Sequence, residues 1–385
     1  MKLALQLAYK NLVGAGLRTW LNVAVLSFSF LVIIFFNGIL DGWNNQAKKD
    51  SVAWEFGHGH LQHESYDPLD PFSIQDGHGI YDGPGKELLN PVLVRQGSIY
   101  PEGRMLSVVL KGIAPEQHVL ELPTGGLDKE GAGIPAVIGE GMAESAGLGV
   151  GDRVLLRWRD RNGTFDATDI EIVEVFKANV PTVDRGQVWI ALDDLWEMTG
   201  LEGHATYLVA EEGFEGSEVN GWTFQSQETL LKDITEIITA KKASSSIMYI
   251  LLLAIALLAI FDTQVLSVFR RQREIGTYIS LGMTRQQVVG LFTVEGSMYS
   301  LFAMVLGSIV GAPLFAFLAF KGIAFPASSQ DFGVAMADKI YPAFGLQMVL
   351  MTILLVVIAA TIVSYLPSRK ISKMNPVDAL KGKLQ

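Results

Sequence analysis

The chain of 385 residues is 49% apolar and has a mean hydropathy of +0.31, which is high for a soluble protein. It contains no cysteine, so disulfides and thiol chemistry are excluded. The net charge of −10 is distributed unevenly along the chain. Together these values indicate an integral membrane protein that carries most of its charge outside the bilayer.

Four apolar blocks predict four transmembrane helices. Each block is long enough to cross a hydrocarbon core of about 30 Å as a helix. The blocks are 19–40, 247–268, 288–320 and 344–366. The first block is too long for the apolar region of a signal peptide, so we expect it to remain as an anchor.

The charge pattern predicts the orientation of these helices. Segments 1–18, 269–287 and 367–385 carry twelve Lys and Arg but only two Asp and Glu. Segment 41–246 carries 16 Lys and Arg against 34 Asp and Glu. Basic residues beside membrane spans mark the cytosolic side. We therefore expect cytosolic termini, an extracytoplasmic segment 41–246 and a short outer loop at 321–343.

Segment 41–246 is expected to form a mixed α/β domain inserted between helices 1 and 2. Runs of alternating apolar residues separated by glycine and proline are typical of short strands joined by turns. The predicted elements are a strand at 135–139, a helix at 140–147, a strand at 153–159, a hairpin turn at 160–163, strands at 170–175 and 187–190, and a helix at 191–199. A further helix at 223–246 is expected to lead back into the membrane.

The two ends of the chain contain further predicted helices. Residues 1–18 read as an amphipathic lead-in helix at the cytosolic interface, and a simple basic flank is the alternative interpretation. In the cytosolic tail 367–385, Pro367 is expected to close the fourth span. Asn375 and Pro376 then suit the start of a short helix over 376–381.

The segment 269–287 predicts a charged elbow between helices 2 and 3. Four arginines fall within sixteen residues of it. Gly282 is suited to end a helix in a left-handed conformation. Thr284 and Gln287 have the spacing of a capping box, which would start the next helix. Two helices are thus expected to meet at a sharp corner on the membrane surface.

This elbow resembles the coupling region of the FtsX-like/MacB-like (type VII) ABC transporter permeases. The resemblance rests on Arg271, Arg273, Glu274, Ile275, Gly276, Leu281, Gly282, Met283 and Gln287. The run from Ile138 to Val154 is similar to the outer domain of MacB-like and Lol permeases, and residues 375–380 resemble their C-terminal signature. The layout is closest to lipoprotein-releasing, Lol-type permease subunits.

The resemblance implies a set of partners. Residues in and beside the elbow would contact an ATPase: Arg271, Arg273, Glu274, Ile275, Gly276, Leu281, Gly282, Met283, Thr284 and Arg285. No phosphate-binding G-x-x-x-x-G-K-[ST] motif occurs in the sequence. We therefore expect ATP and Mg in two separate ATPase chains, a second permease copy or related permease, and no catalytic residue, metal or cofactor in this chain.

The implied function is ATP-driven mechanical movement of the extracytoplasmic domain at the bacterial inner membrane. A lipoprotein, a lipid or an amphipathic molecule would be the cargo, and no nucleic acid partner is expected. One alternative is MacB-like efflux of antibiotics, toxins or peptides with a periplasmic adaptor. The other is an FtsX-like signal relay that transports nothing.

Several polar and small residues have more than one interpretation. Asp262, Gln264 and Glu295 lie within predicted spans. We expect Asp262 to face other helices or a protected cavity, with a proton or substrate role as the alternative. Glu295 is expected to be structural or coupling and partnered within the bundle. Gly307 and Gly311 permit close helix approach in a dimer or within the bundle. A last group is the histidines His58, His60, His63 and His78. Zinc suits such a cluster, but a hydrogen-bonding, surface-facing strand is the favoured interpretation.

Overall fold

The computed structural model describes residues 16–129, 133–216, 219–324 and 339–373. The chain divides into two units. The first comprises Met1–Trp43, Ile238–Ile323 and Tyr341–Gln385, and the second comprises Asn44–Ile237 and Ala324–Ile340. Most of the predicted lead-in helix 1–18 and the predicted tail helix 376–381 lie outside the described residues.

Helices dominate the first unit, which we call the membrane unit. Its helices are α1 (Leu17–Ser51), α6 (Lys232–Arg270), α7 (Gln272–Ser280), α8 (Arg285–Lys321) and α9 (Leu346–Ser368), and a 3-10 turn follows at Arg369–Lys373. Within the described residues, four helical stretches are long and apolar enough to cross a membrane: Trp20–Phe56, Lys232–Arg270, Arg285–Lys321 and Leu346–Ser372. Short strands β12 (Ile323–Ala324) and β13 (Lys339–Ile340) lie in the chain between α8 and α9.

The core of the membrane unit is formed by side chains from all four long helices. Leu26 of α1, Ile260 of α6 and Ala360 of α9 are fully buried there, and Ala303 of α8 is nearly so. The small side chains of Ala303 and Ala360 let α8 and α9 approach their neighbours closely. The remaining faces expose large apolar side chains, as expected for helices surrounded by lipid.

The second unit, which we call the α/β unit, is built on a nine-stranded sheet. Its strands are β1 (Gly59–His63), β3 (Leu89–Ile99), β4 (Leu106–Ile113), β5 (Ile134–Gly139), β6 (Arg153–Arg159), β7 (Phe165–Phe176), β8 (Gln187–Ala191), β10 (Tyr207–Ala210) and β11 (Trp222–Ser226). The strand order is β11-β1-β10-β3-β4-β8-β5-β7-β6. Because β6 pairs with both β7 and β3, six of the strands close into a ring.

Short elements complete the α/β unit. They are a π-helical turn at Val52–Phe56, the strands β2 (Gly79–Ile80) and β9 (His204–Ala205), and the helices α2 (Glu140–Ala146), α3 (Pro181–Asp184), α4 (Leu192–Thr199) and α5 (Gln227–Leu230). Two large apolar clusters form the core, one around Leu156 and Ile190 and one around Val94 and Trp189.

Most of the predicted elements of this unit are present, with one correction here and one in the membrane unit. The strand Arg153–Arg159 and the helix ending at Gly200 occur as expected. The expected helix over 223–246 is wrong in its first part, because Trp222–Ser226 pairs in register with β1 as a strand. Pro367 does not end the fourth long helix, which continues through Ser368.

Candidate coupling site

The elbow consists of the short helix α7 between two long helices. Helix α6 ends at Arg270, and Arg271 leaves helical geometry with φ −103° and ψ 22°. Helix α7 begins at Gln272, so a single residue separates α6 from α7 and no loop lies between them.

The end of α7 is closed by a tight hydrogen-bonded turn. Gly282 has a φ of +98°, a conformation that favours glycine. Its N–H donates to the carbonyl of Ile279 at 3.1 Å, and the Met283 N–H donates to the carbonyl of Tyr278 at 3.0 Å. These two bonds are those of a Schellman motif, which stops a helix and satisfies its last carbonyls. The predicted left-handed role of Gly282 is confirmed.

The next helix begins with the predicted capping box. The Thr284 N–H donates to Oε1 of Gln287 at 2.9 Å, and the Gln287 N–H donates to Oγ1 of Thr284 at 3.3 Å. Both bonds satisfy N–H groups that have no partner within the first turn of a helix. Helix α8 therefore starts at a defined residue, directly after the turn that ends α7.

Arg271 holds the elbow against the helices beside it. Its Nη1 donates to Oε1 and Oε2 of Glu295 at 2.8 and 2.9 Å, and its Nε donates to Oε2 of Glu274 at 2.7 Å. The guanidinium carbon lies 4.7 Å from the ring centroid of Phe292. Only 19% of the Arg271 side chain and 11% of the Glu295 side chain is exposed. A charge-assisted network of this kind fixes orientation as well as position.

The electrostatics of this network keep Arg271 charged. Burial lowers the pKa of Arg271, but the facing carboxylates of Glu295 and Glu274 outweigh burial, so the pKa lies above its ordinary value. The expectation that Glu295 is partnered within the bundle agrees with this contact. Phe292 was missed by sequence reasoning, although its position three residues before Glu295 places it on the same helix face.

The elbow also packs against the segment that follows α9. Ile275 is fully buried with Val288, Phe292 and Ile371 in one apolar cluster. In addition, Nη1 of Arg285 donates to the carbonyl of Ser372 at 3.1 Å. The corner therefore contacts the start of α8 and the segment that follows α9.

The structure divides the predicted coupling residues into two groups. Arg271, Ile275 and Gly276 point inward and hold the elbow in place. Met283 is half-buried. The exposed members, which a partner could reach, are Arg273, Glu274, Leu281, Gly282, Thr284 and Arg285. Leu281 is the most prominent apolar side chain of this group, with 79% of its surface exposed.

The polar residues predicted within the spans behave differently from one another. Gln264 is buried with 2% of its surface exposed, whereas Asp262 is exposed within the described structure. Asp262 therefore has no place in the packed core of this chain, and the expectation that it faces other helices or a protected cavity stays a prediction. The reason that the two residues differ is geometric, because residues two apart on an α-helix lie about 200° apart around its axis and cannot share a face.

Small residues let the long helices of the membrane unit pack closely. A side-chain carbon added to Gly307 would lie 3.0 Å from Phe30, and one added to Gly311 would overlap Leu31. The Gly307/Gly311 face thus lies against α1 of the same chain. Similarly, a carbon added to Gly296 would overlap Ser364 and lie 2.7 Å from Nε2 of Gln264.

The predicted histidine cluster does not form one site. His58 is exposed and His60 is buried, so the expectation of a surface-facing strand is wrong for His60. The Nε2 atom of His60 lies 2.9 Å from the Glu55 carbonyl, and its ring stacks on Tyr207 at 4.5 Å. Burial lowers the pKa of His60 to about 4.

Four long apolar helices and this elbow define the class of an integral membrane protein. Comparison with known families is more specific. Residues 246–376 match the family model described as "FtsX-like permease C-terminal". That range includes most of α6 and all of α7, the elbow turn, α8 and α9.

Two curated relatives extend the match beyond this range. The lipoprotein-releasing system transmembrane protein LolC of Neisseria meningitidis serogroup B is 22% identical over an alignment of 253 residues, which covers 58% of this chain and 60% of that protein. The macrolide export ATP-binding/permease protein MacB 2 of Aeromonas hydrophila subsp. hydrophila is 26% identical over 159 residues, which cover 41% of this chain and 22% of that protein.

These matches confirm the resemblance to FtsX-like/MacB-like ABC transporter permeases. Residues 246–376 match an FtsX-like permease domain and contain all or most of three of the four helices that are long and apolar enough to cross a membrane. The chain spans less than two thirds of the length of both curated relatives. Their names concern lipoprotein release in one case and macrolide export in the other.

Proposed function

We propose that this chain is the permease subunit of an ABC transporter whose ATP is hydrolysed by two separate ATPase chains. The observation that supports this most strongly is the elbow held by Arg271, Glu274 and Glu295. A partner that presses on α7 would move α6 and α8 together, because the buried network leaves the corner no independent freedom. A second permease copy or a related permease completes the complex.

The proposed orientation places the elbow in the cytosol and the α/β unit outside. The basic segments flank the candidate spans on one side, and the acidic segment 41–246 lies on the other. The protein would then reside in the bacterial inner membrane with both termini cytosolic. ATP and Mg would bind only to the ATPase chains.

The proposed mechanism is mechanical transmission. Helices α1 and α6 each contribute residues to both the membrane unit and the α/β unit. With 35 and 39 residues they are about 52 and 58 Å long, whereas the hydrocarbon core is about 30 Å thick. Movement of the elbow is transmitted along α6 as one rigid element, so the α/β unit is displaced without a channel through the bundle.

We propose a lipoprotein or lipid as the cargo, released from the outer surface of the membrane. The LolC match supports this choice because it covers more than half of the chain. Export of a small molecule or peptide with a periplasmic adaptor is the second candidate, and the MacB 2 match favours it. A relay that transports nothing is the third candidate, since the family model is named for FtsX.

Charge and shape changes on the exposed face of the elbow test the ATPase contact. We expect the double variant Arg273→Glu, Leu281→Asp to fold and insert normally, because both side chains are exposed. Copurification of the ATPase and cargo-stimulated ATP turnover should fall at least tenfold. Arg153→Glu, which changes an exposed arginine of the α/β unit, is the matched control and should leave both unchanged.

A pull-down in mild detergent tests the cargo. Lipoproteins or lipids in the purified complex support the first candidate, and a copurified adaptor protein supports the second. A complex that contains an ATPase but no cargo or adaptor supports the relay. In that case, deletion of the gene for this chain should disturb cell-wall cleavage alone. Purification of the intact chain without any ATPase contradicts the proposed function.

A further inference from the structure

Two histidines that are distant in sequence meet in the α/β unit. The Nδ1 atoms of His78 and His204 are 3.0 Å apart, although 126 residues separate them in the chain. The ring centroids are 5.0 Å apart and the ring planes are inclined by 72°. His204 lies in β9, and His78 immediately precedes β2, which pairs with β9. The backbone pairing of two short strands thus brings the two imidazoles together.

A third imidazole lies beside this pair. A side-chain carbon added to Gly79 would lie 3.0 Å from Cδ2 and 3.1 Å from Nε2 of His63, so that ring packs against the backbone next to His78. The Nδ1 atom of His63 accepts a hydrogen bond from the Ser65 N–H at 3.3 Å. His63 is therefore engaged and borders the pair, and its Nδ1 atom already has a partner.

The pair is in the protonation state that a metal ion requires. Burial, the positive charge of Arg95 and the neighbouring His204 lower the pKa of His78 to about 4, and burial followed by the charge of Arg161 lowers the pKa of His204. Both rings are therefore neutral at pH 7. In the ring that donates the Nδ1–H of the bond between them, this proton has to shift to Nε2 before both Nδ1 atoms can bind one cation.

We propose that His78 and His204 form a binding site for a divalent transition-metal ion of the Zn²⁺ and Cu²⁺ type. Two nitrogens that each lie about 2.0–2.1 Å from one ion are about 2.9 Å apart at a right angle and about 3.3 Å apart at the tetrahedral angle that Zn²⁺ prefers. The 3.0 Å separation of the two Nδ1 atoms lies between these two values. Both rings are only partly buried, so water can supply the remaining ligands.

The site has two protein ligands rather than three or four. Within the described residues, no group of three or more His, Cys, Asp or Glu side chains is placed to hold a metal ion. The positive charge of Arg95 lowers the pKa of His78, and that of Arg161 lowers the pKa of His204. The negative charge of Asp76 acts in the opposite direction on the pKa of Arg95. The expected ion is bound reversibly, and this departs from the sequence-based expectation that the chain binds no metal.

A bound ion would have a structural consequence. Segment 64–88 connects β1 to β3 and is joined to β9 through the two-residue strand β2. A metal bridge between His78 and His204 would fasten this segment to β9 more firmly than a single hydrogen bond. Metal binding should therefore be visible as additional protection of the segment against protease.

The test uses the full chain purified in detergent without a polyhistidine tag. Competition with a chromogenic chelator at pH 7.5 should reveal one Zn²⁺ site, and His78→Gln and His204→Gln should each weaken Zn²⁺ binding at least tenfold. His118→Gln, which changes an exposed histidine of the same unit, should leave binding unchanged. Zn²⁺ should also slow proteolysis within 64–88 in the wild type and in the His118 variant only.

A measurement on the unaltered protein removes any dependence on how the variants fold. One equivalent of Cu²⁺ should give an electron paramagnetic resonance spectrum with hyperfine splitting from two imidazole nitrogens. A spectrum without that splitting would show that the histidines form a hydrogen-bonded pair only. Equal Zn²⁺ affinity in the wild type and in the His78 variant would overturn the proposal in the same way.

Discussion

The elbow and the α/β unit each contain a buried cation, and they hold it in different ways. Arg271 in the elbow is bonded to two carboxylates. Lys111 in the core of the α/β unit is 5% exposed, and its Nζ lies 4.8 Å from the Trp189 ring centroid and 5.7 Å from that of Tyr207. Burial lowers the pKa of Lys111, whereas the pKa of Arg271 is raised.

The difference shows what each cation contributes. Carboxylates at hydrogen-bond distance fix the direction of the guanidinium, so Arg271 positions the elbow. Aromatic faces stabilise an ammonium group without directing it closely, so Lys111 mainly fills space in a core. A cation that positions a moving part should be costly to remove, and one that fills a core should be replaceable by an apolar side chain of similar size.

The largest expected effect follows from removal of Arg271. Arg271→Met leaves the nearly buried Glu295 carboxylate without its partner, and breaking such a pair costs about 3 kcal/mol. Thermal unfolding of the membrane unit in detergent should show this loss. The double variant Arg271→Met, Glu295→Leu should recover much of the stability. If the two single losses simply added, Arg271 and Glu295 would not act as a unit.

The next effect is the pH dependence of the α/β unit. His60 is buried in its neutral form with a pKa of about 4, so the unfolded chain binds a proton more readily than the folded one below pH 6.5. His60 therefore contributes full stability above pH 6.5 and loses it as the pH falls toward 4. At about 1.4 kcal/mol per pH unit, its share of the loss between pH 6.5 and pH 5 is about 2 kcal/mol.

Urea unfolding followed by pulse proteolysis at pH 7 and pH 5 measures this loss. His60→Asn should lower stability at pH 7 but reduce the pH-dependent loss by about 2 kcal/mol. His118→Asn should keep the full loss, because His118 is exposed. An unchanged pH dependence in the His60 variant would mean that His60 is not neutral and buried in solution.

A smaller effect is expected at the start of α8. Thr284→Ala removes the hydroxyl that accepts a bond from the Gln287 N–H, and loss of such a cap costs about 1 kcal/mol. Thr277→Ala is the matched control, because that hydroxyl donates only to a carbonyl within its own helix. Equal melting temperatures for the two variants in detergent would show that the capping box does not secure the elbow.

The smallest effect completes the comparison between the two cations. Lys111→Met should leave the stability of the α/β unit unchanged or raise it by about 1 kcal/mol, since an apolar side chain of similar volume needs no charge stabilisation. The sign should be opposite to that of Arg271→Met. A loss of more than about 2 kcal/mol in urea unfolding would show that Lys111 is held by its charge as firmly as Arg271 is.

Local features of the elbow and of the α/β unit could be predicted from the sequence, because they depend on neighbouring residues. The Thr284/Gln287 capping box, the turn at Gly282 and the strand Arg153–Arg159 are set by spacing and backbone preference. The segment 223–246 was misread because pairing with β1, about 160 residues earlier in the chain, overrides its local pattern.

Contacts between distant residues were not predictable in the same way. The pairing of Arg271 with Glu295 depends on the angle between α7 and α8, and the meeting of His78 with His204 depends on the pairing of β2 with β9. Asp262 and Gln264 both lie in an apolar stretch, and the sequence alone does not show which of them faces the bundle. In the structure Gln264 is buried and Asp262 lies on the other side of the helix.

Photo-crosslinking at the exposed elbow tests the central claim most directly. A photoreactive residue at Leu281 should capture an ATP-binding chain in intact cells, because this side chain is exposed beside α7. The control position is Phe320, which is 89% exposed at the opposite end of α8 and should capture no ATPase. Capture at Leu281 alone is the predicted result, whereas capture at Phe320 alone, or no ATPase at Leu281, would contradict the account.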